Sequence, residues 1–360
     1  YLAVTAYDTD GNESWYSNEV TGATRVLEVQ NLAIEGEEDL QHIVNHFPVI
    51  SFSYYDSMNE PQTGYQVQVT TDSLFSSINM WNGDAINTVG NVTISDTSVI
   101  YPYEAIALQN GTTYYLRARV ASGNFLSDWS QHLTFRMNTE PTVPTLLSPI
   151  NDQVIGSSVV LSILNATDAE DDLITYSFNL YDDVSLTDKL DSAMSITESG
   201  DTTLWQPTVE LADNGQYFWT VSASDGFEEG PVSDAGSFLL NSNNNSPALF
   251  MLNIPAPNIA IQNLQPIFSW YPSQDPDPID TVNYTLMLDT PEPGLIVFEV
   301  GTDTFFQAPL HYFDNSQYFW QVIATDLLGF QTISEGGYKS FYINLANDPP
   351  GVPDLVAPLM

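Results

Sequence analysis

At 360 residues the chain is too long for one β-sandwich and suits several cores of about 100 residues each. Six Lys and Arg stand against 46 Asp and Glu, a formal charge of -40, which excludes nucleic acid and anionic membranes as natural partners, because binding phosphates takes many cationic contacts. The absence of cysteine excludes the disulfide-stapled class of small secreted module, and no apolar run is long enough to predict a membrane span.

In chain order, Tyr1-Leu-Ala-Val-Thr-Ala-Tyr-Asp8 is the first, shortened version of a segment that returns three times. Thr9-Asp-Gly-Asn12 reads as a turn, and Trp15 to Val20 as the strand after it. Residues 1–22 are expected to be the last two strands of a domain whose start lies elsewhere, in a longer polypeptide or another subunit, because two strands alone leave an apolar face and open edges. In residues 23–137, Pro48–Phe52, Gly64–Thr70 and Thr112–Val120 alternate or cluster apolar residues as strands do. Trp129-Ser130 and Phe135 mark a last strand, and the long stretch from Ser76 to Tyr103, containing Val92-Thr-Ile-Ser95, is expected to add strand structure at a sheet edge.

Residues 138–243 repeat the pattern with Val159–Ile163, Ile174–Tyr181, Tyr217–Ala223 and Gly236–Leu240. Residues 244–344 repeat it with Pro266–Trp270, Val282–Leu288, Tyr318–Ala324 and Tyr338–Ile343. The joints Asn138-Thr-Glu-Pro141, Asn244-Asn-Ser-Pro247 and Asn347-Asp-Pro-Pro350 are short and proline-bearing, which predicts semi-rigid hinges. Residues 345–360 form the last joint and, at Pro353–Pro358, a strand that would open a further domain.

Tyr114, Tyr217 and Tyr318 stand 103 and 101 residues apart, each with an apolar residue six places earlier: Leu108, Leu211 and Tyr312. Asn110-Gly111 and Asp213-Asn-Gly215 supply turns that tolerate the left-handed region. The arrangement resembles the tyrosine corner and strand F of immunoglobulin-like sandwiches, closest to bacterial fibronectin type III domains. The resemblance implies an all-β chain of tandem sandwiches in an elongated array, extracellular or on a cell surface.

Acidic loops are the best candidates for chemistry. Asp168-Ala-Glu170-Asp171-Asp172 follows Ile163 by five residues, and Asp275-Pro-Asp277-Pro-Ile-Asp280 follows Trp270 by five. In the resembled topology the B–C loop and the F–G loop, the latter opening at Asp225 or Asp326, share the pole that receives the preceding hinge. Asn138 and Glu140 join the first set, and Asn244 with the Asn245 carbonyl the second. Crowded carboxylates need a counter-cation, and hard oxygens without His or Cys favour Ca2+; the alternative is a solvated acidic surface. In the first repeat Ser57 and Ser122 replace Asp168 and Asp225, so no equivalent site is expected there, with Asp56 and Glu60 as the remaining acids. Gly36–His46 reads as an ordinary polar insertion, because the run is short and precedes a strand; the minor alternative is a helical turn that would offer Glu38, His42 and His46 as zinc ligands.

Trp81, Trp205 and the pairs Tyr54-Tyr55 and Tyr101/Tyr103 are the candidates for stacking on a glycan, against the ordinary alternative of core packing, whereas Trp219 and Trp320 fall on inward strand positions. None of the four histidines, His42, His46, His132 and His311, sits in a nucleophile or metal motif, so no catalytic residue is assigned. The expected role is a non-enzymatic stalk, adhesin or filament segment whose partners are neighbouring domains of the same chain and homopolymeric or cell-surface proteins. The alternative is a carbohydrate-binding or spacer region accessory to a secreted enzyme.

Overall fold

The computed structural model describes residues 3–17, 24–84, 96–100, 106–309, 312–346, 348–349 and 351–353. All regular structure among them is β. The chain divides into two compact units, residues 1–144 with 165–176 and 222–232, and residues 145–164 with 177–221 and 233–360.

In the first unit, residues 3–17 fold as a short hairpin. Tyr7 and Glu13 form an antiparallel bridge, and Asp8 accepts from the backbone N–H of Asp10 and Asn12 to set the turn. The first sandwich follows, with β1 (Leu27–Ile34), β2 (Val49–Asp56), β3 (Gly64–Thr70), β4 (Trp81–Asp84), β5 (Asp96–Ile100), β6 (Thr113–Ser122), β7 (Phe125–Leu126) and β8 (Leu133–Arg136). One sheet runs β1-β2-β5 and the other β4-β3-β6-β7, with β8 also on β6. In β6, Tyr114, Leu116, Ala118 and Val120 are buried and alternate with half-exposed Tyr115, Arg117 and Arg119, the two-residue period of a strand with one inward face. The inward set packs with Ile50, Phe52, Val67, Val69 and Phe135 into one core.

The long edge stretch holds β4 and β5, while Val92–Ser95 lies outside the described residues. The last strand is displaced from its expected start: Trp129 and Ser130 precede β8 rather than open it, and the Ser130 hydroxyl accepts from the Ala118 N–H. Gly36–His46 is the irregular polar insertion expected of it, without the alternative helical turn. His42 instead turns its ring nitrogens to Asp39 and Asp172, and His46 Nδ1 meets the Leu108 carbonyl, so the two imidazoles face different partners.

The second sandwich has β9 (Thr145–Ser148), β10 (Gln153–Ile155), β11 (Leu161–Leu164), β12 (Thr175–Tyr181), β13 (Lys189–Thr197), β14 (Thr202–Trp205), β15 (Gln216–Ser224) and β16 (Gly236–Leu240). Its sheets run β14-β11-β9 and β10-β16-β15-β12-β13. The third has β17 (Leu252–Ile254), β18 (Ile259–Ile261), β19 (Ile267–Trp270), β20 (Asn283–Asp289), β21 (Leu295–Gly301), β22 (Phe305–Gln307), β23 (Ser316–Thr325), β24 (Gln331–Ile333) and β25 (Lys339–Ile343). Its sheets run β17-β19-β22 and β18-β25-β23-β20-β21, with β24 on β23. In both, a short first-edge segment lies parallel to the last strand, Gln153 opposite Phe238 and Ile259 opposite Phe341.

The recurring tyrosine does the same work in each sandwich. Gln109 N–H donates to Tyr114 Oη at 2.9 Å, Tyr217 Oη donates to the Ala212 carbonyl at 3.0 Å, and Phe313 N–H donates to Tyr318 Oη at 2.7 Å. Each hydroxyl ties the turn before its strand to the strand itself, so a buried ring keeps its polar end satisfied. Trp219 and Trp320 are fully buried on the inward face.

Candidate cation sites at the hinges

The first hinge lies within the first unit, together with the second sandwich's residues 165–176 and 222–232. Asn138, 0% exposed, donates its side-chain amide to Asp225 Oδ2 at 2.8 Å and Glu228 Oε2 at 3.0 Å. Asp225 Oδ1 caps its own loop by accepting from the Phe227 and Glu228 N–H groups at 2.7 Å each. Asp168 Oδ1 does the same for the Glu170 and Asp172 N–H groups, which folds the acidic run into a tight turn.

Three buried oxygens of this pole accept no hydrogen bond and have no cation of the protein beside them: Asn138 Oδ1, Asp168 Oδ2 and Glu170 Oε2. All are acceptors only. Their desolvation is costly unless a cation supplies what no N–H supplies. Asp172 Oδ2 has His42 Nε2 at 3.1 Å, an ion pair when the ring is charged. Burial opposes that charge, but Asp39, Asp172 and Glu170 outweigh it and hold the imidazole above its ordinary pKa. His42 also stacks on Phe227, ring centroids 4.0 Å apart. Arg136, from β8, meets Glu170 Oε1 at 2.8 Å.

The hinge backbone is packed as closely. A Cβ on Gly230 would stand 2.3 Å from the Pro141 carbonyl oxygen, so only glycine lets the linker lie against this loop.

The second hinge lies within the second unit and repeats the wiring. Asn244 donates its amide to Asp326 Oδ2 at 2.7 Å, Asn245 N–H donates to Asp277 Oδ2 at 2.7 Å, and Asp326 Oδ1 accepts from Phe330 N–H at 2.8 Å. Asp277 N–H donates to Asp275 Oδ1 at 2.9 Å, and Leu327 N–H to Asp280 Oδ1 at 3.3 Å. Asp275, Asp277 and Asp280 bring carboxylate oxygens within 4.8 Å of one another. Asp275 Oδ2 and Asp277 Oδ1 are buried without a donor, and Asp277 is 4% exposed. Burial, then the charges of Asp277, Asp280 and Asp326, raises the Asp275 pKa. Asp326 moves down despite its burial, because the Asn244 amide and backbone N–H groups favour its anion.

Among the expected residues, Asn138, Asp168, Glu170, Asp172 and Asp225 fall at the first hinge, and Asn244, Asp275, Asp277, Asp280 and Asp326 at the second. Glu140 is exposed and stands outside this hydrogen-bond network. Glu228, Arg136 and His42 were not assigned to the hinge; Glu228, three residues past Asp225, was the most legible of them. Asp182, Asp183 and Asp188 also approach one another, but Asp183 is already satisfied by Thr187 and Asp188 N–H groups.

At the corresponding pole of the first sandwich, Arg25 fills the acidic position with a cation of the protein's own. Its guanidinium meets Asp56 through Nε at 3.2 Å and Nη2 at 2.5 Å. The aromatic candidates for glycan stacking are committed elsewhere: Trp205 is 9% exposed against Phe178, Trp81 packs against the first core, and Tyr54 Oη donates to the Glu60 carbonyl at 2.6 Å. Tyr55 is 42% exposed, and Tyr101 and Tyr103 lie outside the described residues. Among the described residues no helix is long and apolar enough to cross a membrane.

Residues 29–139 match the family model for the Rha78A-like, N-terminal immunoglobulin domain. Among solved structures, the FN1–FN3 domains of chicken CNTN1 align with 85% of this chain and 98% of theirs, at 12% identity and a TM-score of 0.25. No curated protein matches the sequence. With its three-stranded sheets each paired with a five- or six-stranded one and its repeated corner tyrosine, the chain is a tandem of immunoglobulin-like β-sandwiches.

Proposed function

We propose that this chain is a non-enzymatic, extracellular structural segment of a stalk, adhesin or filament, whose hinges are stiffened by Ca2+. The observation that carries the reading is Asn138 Oδ1, fully buried and without a donor, at a pole where Asp168 Oδ2 and Glu170 Oε2 share that condition. Asn138, Asp168, Glu170, Asp172 and Asp225 would hold the ion at the first hinge. Asn244, Asp275, Asp277, Asp280 and Asp326 would hold it at the second. Calcium accepts six to eight such oxygens in irregular geometry, and the ion offsets the repulsion that a charge of -40 builds into the folded state.

A short hinge whose linker amide, loop carboxylates and metal close on one another bends less than a free tether. That is the property a load-bearing spacer needs. The test is thermal unfolding and small-angle scattering with excess chelator and with 2 mM CaCl2, a concentration of about the order at which extracellular modules bind calcium. Calcium is expected to raise the melting temperature by several degrees and to narrow the distribution of interdomain distances. Identical melting and scattering under both conditions would reject the calcium reading.

A further inference from the structure

Among the described residues the first hinge carries a cation of the protein's own and the second carries none. At the first, Arg136 Nη2 stands 2.8 Å from Glu170 Oε1, and the Thr139 hydroxyl donates to the same oxygen at 3.1 Å. Glu170 therefore enters the site with one oxygen taken by a permanent positive charge and the other, Oε2, buried and free. The Glu170 side chain is 5% exposed and that of Arg136 32%, so the pair is shielded on the acid's side. None of the ion pairs among the described residues involves Asp275, Asp277, Asp280 or Asp326. Of the two hinges, the second brings three carboxylates within 4.8 Å of one another, and among the described residues no such trio forms from Asp168, Glu170 and Asp172.

We infer that Arg136 is a built-in counter-cation that competes with the metal at Glu170, so that the first hinge binds Ca2+ more weakly than the second and is partly organised without it. This rests on the calcium reading above. A guanidinium beside a ligand repels an arriving divalent ion through the same Coulomb term that it uses to hold the carboxylate. One positive charge against two at several ångströms in a largely aqueous setting is worth roughly tenfold in affinity. With no cation of its own, the second hinge leaves its acids mutually repelling until metal arrives, so its order depends on the ion.

Arg25 completes the series. At the first sandwich's pole a guanidinium already sits on Asp56. From that pole to the second hinge, internal cations give way to oxygens with nothing to neutralise them, and the demand for calcium rises in step.

The test is hydrogen exchange by mass spectrometry along a calcium titration of the whole chain at one fixed pH, read separately in peptides covering 138–144 and 241–247. The midpoint at 241–247 is expected at roughly tenfold lower calcium. Arg136→Gln should move the midpoint at 138–144 down by a similar factor, raise exchange there in chelator, and leave 241–247 unmoved. Arg136→Lys, which keeps the charge, should stay near the wild type. Coincident wild-type midpoints, or a glutamine variant whose first hinge shifts upward or not at all, would overturn the inference while leaving calcium binding intact. If neither peptide responds to calcium, the calcium reading itself fails and this inference falls with it.

Discussion

Asn138 donates its side-chain amide to Asp225 at 2.8 Å, and Asn244, 106 positions later in the sequence, donates to Asp326 at 2.7 Å. In both cases a linker asparagine is anchored by its N–H end to the F–G loop, which at Asn138 leaves a buried carbonyl oxygen for a ligand. The amide is neutral, so it holds the loop acid without adding charge. Asn138→Asp should therefore act in opposite directions with and without metal. In chelator a second carboxylate beside Asp225 is expected to lower the melting temperature by several degrees, through like-charge repulsion and a lost donor. With calcium the extra anionic ligand should recover most of that loss, and calorimetry in the two buffers checks the crossover.

Gly230 permits the close approach of the Pro141 carbonyl. Gly230→Ala is expected to push the linker away, increase hydrogen exchange at 138–144 in the presence or absence of calcium, and leave 241–247 as it was. The Pro247 carbonyl at the second hinge instead accepts from the Thr332 hydroxyl at 2.5 Å. Thr332→Val should loosen that linker selectively.

The indoles of Trp219 and Trp320 occupy the same inward strand position, but only Trp219 uses its N–H, donating to the Pro149 carbonyl at 2.7 Å. Trp320 Nε1 is buried without a partner. Replacement by Phe removes a satisfied hydrogen bond in the first case and an unsatisfied donor in the second. Trp219→Phe is expected to cost about 1–2 kcal/mol more than Trp320→Phe, beyond a similar packing loss in each. Chemical denaturation, resolved by sandwich, measures the difference.

Asp56 is held below the ordinary carboxylate range, first by its hydrogen bonds to Arg25 and against the opposing effect of burial. A folded pKa below the unfolded value of about 3.9 contributes stability that is complete above that value, and is lost as pH falls through the folded pKa. Asp56→Asn should lower the melting temperature at neutral pH by roughly 5 °C. That gap should close as the pH drops below about 4. A gap of constant size down to pH 2 would show that the ion pair is not its source.

The fold was legible because strands write their burial into the sequence with a period of two, and because a corner tyrosine returns with its turn about every hundred residues. Tyr114, Tyr217 and Tyr318 could be placed from spacing alone, and their hydroxyls tie the expected turns. The start of β8 was less legible. Trp129 and Ser130 look like strand residues by type, yet the Ser130 hydroxyl serves the Ala118 N–H and pairing resumes only at Leu133.

The sequence by itself determined the β class, the tandem repeat and the two acidic loops, since each is set by residues close together in the chain. Only the tertiary structure decided that Arg136 and His42 reach the first of those loops, that Trp205 is core rather than surface, and that Asn138 leaves an oxygen buried without a donor. Those facts depend on which distant side chains share a dielectric environment, and neither periodicity nor spacing carries that information.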